Sequence, residues 1–174
     1  MFEKYFKNSI LLLLDDYTHD IPVLSDISRV LVNDEFRMDK LSRETNPLVK
    51  EFWELEAEKA GGEASLANMA PYISSKVDTF VSNEFLRPII NQKKSAFNFR
   101  EVIDGGKILI ANLSKGRIGD INANLLGMLI VGKLLMAALS RVDITDESQR
   151  RDFYLYMDEF QNFTTESIAT ILSE

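Results

Sequence analysis

Apolar residues recur every three or four positions through the first half of the chain, and that spacing predicts helices up to about Asn91. Residues 4–14 form one amphipathic piece ending at Asp15-Asp16. Ser25 is placed to cap a helix over 26–32, and Asn33 another over 34–42. Asn46-Pro47 is a start signal, with Asn at the cap and Pro at the first helical position, where a missing N–H costs nothing. The helix it opens carries Val49, Phe52, Trp53 and Glu56 at helical spacing and stops at Gly61-Gly62. A longer helix is expected from Glu63 to about Val81, with Leu66, Met69, Ile73, Val77 and Phe80 on its apolar face. Pro71 lies inside that pattern and predicts a kink or break near Ala70. The aromatic residues of this half, Trp53 included, read as core.

The pattern changes at Phe97. A short element, FNFREVIDGG, closes on a Gly-Gly turn. It is followed by KILIANL (107–113), a β-branched run of the length of a buried parallel strand. After the loop SKGRIGD (114–120) comes a long apolar helix over about 121–141. A charged joint over 143–152 leads to a second strand-like run, FYLYMDEF (153–160), and a last helix is expected toward Glu174. Strand, helix, strand, helix predicts an α/β fold built on a parallel sheet. The chain thus reads as an all-α subdomain over 1–91 and a partial α/β domain over 97–174.

Composition narrows the chemistry. The 174 residues include no cysteine and a single histidine, His19, which excludes disulfide frameworks, iron–sulfur and zinc-ribbon sites and cysteine nucleophiles. The net charge of −7 argues against a general nucleic-acid coat, although not against a local basic groove. The apolar run near the N-terminus is too short for a signal peptide. The stretch from Leu125 to Leu139, interrupted by Lys133, reads as shorter than a membrane span.

The strongest candidate constellation is the apolar run 153–157 ending in Asp158 and Glu159, the pattern of a Walker B strand. At such a strand end an Asp can hold Mg²⁺ and a Glu can activate water, while solvated acids at a strand terminus are the plainer alternative. A Walker A loop is not found. The near-match Gly127-Met-Leu-Ile-Val-Gly132-Lys133-Leu134 lacks the hydroxyl after lysine, has bulky residues where a phosphate cradle needs small ones, and lies inside a helical pattern. The loop bearing Ser114, Lys115 and Arg117 would flank the same crevice. It is suited to phosphate contact, DNA contact or an arginine finger, and equally to being an ordinary glycine-bearing turn.

The residues KILIANLSKGRIGDINANLLGMLIVGKLLMAALSR and FYLYMDEFQNFTTESIATILSE, with DEFQNF the most specific string, resemble the TraG/TraD-like coupling ATPases of conjugation and type IV secretion. These belong to the HerA/FtsK-type group of RecA-like motors. The resemblance implies a partial RecA-like parallel sheet with an N-terminal all-α insertion. It implies ATP and Mg²⁺ as cofactors, with Asp158 on the metal, Glu159 catalytic, and Gln161 near the γ-phosphate. Ser114, Lys115 and Arg117 would lie on the nucleotide side. The parent would be a homo-hexameric DNA or protein translocase at the cytoplasmic side of the bacterial inner membrane. The Walker A strand would lie before Met1, so this chain would be a piece of that motor, inactive alone. The expectation of a different class is a non-enzymatic helical module that binds DNA or relaxosome proteins through residues 1–91. A stand-alone α/β protein with structural acids is the third.

Overall fold

The computed structural model describes residues 1–160, and every regular element among them is helical. The chain divides into two compact units, Met1–Lys94 and Ser95–Glu174, each with its own core.

The first unit contains α1 (Phe2–Asp15), α2 (Ser25–Val32), α3 (Asp34–Arg43), α4 (Pro47–Glu51), α5 (Leu66–Val81) and α6 (Arg87–Ile90). The capping signals act locally. Asn33 accepts the Phe36 N–H at 2.8 Å and Asn46 accepts the Leu48 N–H at 3.0 Å, so orphan donors at two helix starts are satisfied by side chains. Ser25 does not cap. Its hydroxyl and N–H are both engaged by the Asn91 amide, and Asp26 instead accepts the Val23 N–H ahead of the helix. Beyond α4 the helix widens into a π turn over Phe52–Ala57. With i→i+5 bonding, the buried position after Trp53 becomes Ala57, and Glu56 turns outward to pair with Lys4. Helix α5 begins at Leu66 under a Ser65 cap and runs unbroken through Pro71. The expected break is absent because Ala67, four residues back, is on the exposed face, where water can take its carbonyl.

The core of this unit gathers the apolar faces of α1, α2, α4 and α5, with Leu12, Val30 and Ile73 fully enclosed. Tyr5, Phe52 and Trp53 meet edge-on at centroid distances of 5.1 to 6.2 Å. The Trp53 indole N–H donates to the Asn8 carbonyl, and the Tyr5 hydroxyl to that of Ala64. Beside this core lies a charge cluster. Lys40, only 2% exposed, places Nζ 2.6 Å from Asp16 Oδ2 and 3.1 Å from Asp20 Oδ2, and Arg43 Nε reaches Asp16 Oδ1 at 2.8 Å. The Arg43 guanidinium, aided by Lys40 and opposed by burial, brings the Asp16 carboxyl down to about 2.

The second unit contains α7 (Phe99–Asp104), α8 (Lys115–Ile118) and α9 (Asp120–Leu139). Helix α7 begins under Asn98, which accepts the Arg100 N–H. Arg100 pairs with Asp104 within α7 and ties α7 to the end of α9 through Asp143 and the Ser140 hydroxyl. The small core pairs Ile103 of α7 with Leu134 and Ala137 of α9, and Phe153 packs against it. Helix α9 is apolar nearly all round. Together with the turn that follows it, Asp120–Asp143 is long and apolar enough to cross a membrane, with a mean hydropathy of 1.8 over its most apolar window, where the sequence reading had placed a shorter stretch.

The expected α/β architecture is overturned here. Among the described residues there is no strand and no sheet, so neither a parallel sheet nor a partial RecA-like domain is present. The runs 107–113 and 153–157 are straight segments without turn or bend, but neither makes a backbone hydrogen bond to the other. A strand exists only by virtue of its ladder. Hydrophobic alternation reports which side chains are covered and says nothing of whether a neighbouring backbone is in register. The helix expected toward Glu174 lies outside the described residues.

Candidate functional site

The two straight segments form the walls of a groove in the second unit. Its floor is α9, through Gly127, Ile130, Val131 and Leu134, and the half-open groove has a volume of about 860 Å³. Along each wall two part-buried residues are separated by three exposed ones. Leu109 and Leu113 are part-buried while Ile108 and Ile110 are 89% and 86% exposed. Phe153 and Met157 are part-buried while Tyr154 and Tyr156 are 72% and 88% exposed. Large apolar side chains left in water along both walls are the outstanding surface feature of this unit.

The groove has a polar mouth. The Lys115 ammonium, on the first turn of α8, lies 2.8 Å from Glu159 Oε2, and this contact raises the pKa of the lysine. Glu159 adopts a left-handed backbone, with φ at 50°, and its N–H donates to Asp158 Oδ1 at 2.9 Å. At the other end Gly106, also left-handed with φ at 59°, lies under the Arg151 guanidinium, with Lys107 and Asp152 beside it.

Of the residues singled out by sequence, Ser114, Lys115, Asp158 and Glu159 all line this groove. Ser114 stands ahead of α8, and its carbonyl accepts the N–H groups of Arg117 and Ile118. Arg117 is exposed and is not part of the lining. Gln161 lies outside the described residues. The structure therefore brings together one basic and two acidic side chains that sequence reasoning had placed on separate elements. What sequence reasoning missed is the open space between the walls. The floor residues Gly127 to Leu134 had been recognised only as helix packing.

The chemical setting differs from the expected one. Among the described residues no phosphate cradle faces Asp158 and Glu159. Lys115 is spent on Glu159, and α9 presents Gly127 and aliphatic side chains to the groove. Among the described residues no group of three or more His, Asp or Glu side chains is arranged to hold a metal ion. His19 stands 3.8 Å from Asp16 on the surface of the first unit, with no nucleophile in contact. No family model, curated protein or solved structure matches the chain. The resemblance to TraG/TraD-like ATPases is thus corrected. An all-helical set of described residues without a sheet carries no Walker B strand, and the reading as a piece of a RecA-like, ATP-driven motor falls with it.

Proposed function

We propose that the chain is a non-enzymatic interaction module that binds another protein through the groove of its second unit. The observation that carries this reading is the pair of apolar walls, with Ile108, Tyr154 and Tyr156 in water on either side of an aliphatic floor. Tyrosine and isoleucine exposed together around a concavity are the composition of a protein-binding surface, because burying them on association removes apolar area from water. DNA and relaxosome proteins were the partners expected from sequence. The net charge of −7 favours a polypeptide over a nucleic acid, whose phosphates need a basic surface. In the first unit Lys40 and Arg43 are paired with Asp16, a structural use of those charges.

Panning a random twelve-residue peptide library against the immobilised chain tests the reading. Apolar peptides should be enriched, and the double variant Ile108→Asp, Tyr156→Asp should bind them at least tenfold more weakly with an unchanged circular dichroism spectrum. Failure to enrich any sequence would overturn the proposal. So would magnesium-dependent ATP turnover by the chain, or tight binding of a short DNA duplex whose affinity falls steeply with salt.

A further inference from the structure

The walls of the groove lack what extended backbone requires. From Ile108 to Leu113 and from Asp152 to Met157 no backbone N–H or carbonyl is engaged by another backbone group of the described residues. Main-chain donors and acceptors in a protein are almost all paired, and a straight unpaired segment beside an apolar surface is a template for one more strand. Here two such segments flank a single gap.

We infer that the groove accepts an extended polypeptide strand from another protein, which lies between the two walls and pairs its backbone with both. The inference rests on the groove being a protein-binding site and adds the form in which the partner is bound.

The dimensions agree. A strand rises about 3.3 Å per residue, lies about 4.8 Å from its neighbours and needs about 10 Å of depth, which amounts to about 160 Å³ per residue. A space of about 860 Å³ therefore holds a strand of about five residues. Phe153 packs on the core, while Tyr154 and Tyr156 stand in water. Ile130, Val131 and Leu134 make the floor apolar. On the opposite side an incoming strand would meet Ile108, Tyr154 and Tyr156. Both of its faces would be covered, so the recognised segment is apolar at successive positions, as in a strand buried on both sides. Charged residues at each end, Lys115 with Glu159 and Arg151 with Asp152, bound that stretch and suit polar residues flanking it. Strand addition draws affinity from main-chain hydrogen bonds and selectivity from the side-chain pockets.

The probe is a fluorescein-labelled peptide with five valine and isoleucine residues between terminal lysines, compared with the same peptide N-methylated at alternate residues. Anisotropy should show binding of the first and at least a tenfold loss for the second. Hydrogen exchange on the complex should slow at residues 108–113 and 153–157. The variants Ile110→Pro and Tyr156→Pro, which remove wall N–H groups that make no bond in the free chain, should each weaken binding at least tenfold. Ile130→Trp, which fills the floor, should do the same without touching the walls. If both peptides bind equally and the wall amides stay unprotected, strand pairing is wrong while the binding groove stands. If library peptides bind elsewhere or not at all, the groove reading itself fails. If the chain alone dimerises with its wall amides protected, the strand comes from a second copy and the assignment to another protein is overturned.

Discussion

Two neighbouring buried groups in the first unit have opposite effects on stability. Lys40 is enclosed with carboxylates on two sides, so its replacement removes a partner from Asp16 and Asp20 together. Breaking a buried ion pair costs about 3–5 kcal/mol, and Lys40→Met should fall near 3 because Arg43 and Lys93 still hold the two acids. Urea denaturation followed by Trp53 fluorescence reads this directly. A loss below about 1 kcal/mol would mean that the cluster is solvated rather than buried. Glu44 is the converse case. Its Oε1 accepts the Asn46 N–H at 2.8 Å, but Oε2 is buried without a partner. Burial raises its pKa above 4.5, the Asn46 N–H opposes that, and Asp15 adds to it. With the folded pKa raised, its favourable contribution is complete below pH 4.5 and is lost as the pH rises through the folded value, so ionised Glu44 opposes folding at pH 7. Glu44→Gln should therefore stabilise the first unit by about 1 kcal/mol at pH 7 and lose that advantage in acid. Asp16 has the reverse sign. Held at about 2, it contributes fully above pH 3.8 and loses about 2 kcal/mol as the pH falls to 2. Denaturation midpoints of the native chain and the Gln variant at pH 7, 5 and 3 separate the two.

At the scale of single elements, what the sequence disclosed is what is decided locally. Asn33 and Asn46-Pro47 satisfy helix starts within three residues of themselves, and both cap as their pattern predicts. Asn33→Ala should cost about 1 kcal/mol, measured on the same fluorescence transition, and an unchanged midpoint would show that water replaces the cap. The π turn over Phe52–Ala57 was not legible, because Glu56 sits at the α-helical spacing and only the packed ring cluster selects Ala57 in its place. Ser25 was read as a cap because its type and position fit, while the partner that diverts it, Asn91, is distant in sequence. The failure at 107–113 and 153–157 has the same origin on a larger scale. Alternating apolar residues require one covered face, which these segments have, but a ladder requires a second backbone, which they lack among the described residues. The candidate residues fared differently. Lys115, Asp158 and Glu159 were expected to flank one crevice, and they line one groove, although its walls are not the strands of a sheet.

On the scale of the whole molecule, the two units differ in how much core each commits to folding. Among the described residues the first buries sixteen apolar side chains and the second seven. Stability follows buried apolar area, so the second unit should open at lower denaturant than the first. Because Trp53 is the single tryptophan and lies in the first unit, its fluorescence is blind to that event, whereas circular dichroism registers the loss of α7 and α9. A urea titration read by both signals should therefore give two midpoints, with helical signal falling before the fluorescence changes. Coincident curves would show one cooperative structure and refute the difference in stability. The same experiment with the strand-forming peptide links stability to binding. A ligand that occupies the native groove raises only the transition of the unit holding it, by an amount that grows with the logarithm of its concentration. The first midpoint should climb with peptide while the second stays fixed. Movement of the fluorescence midpoint instead would place the bound peptide on the first unit.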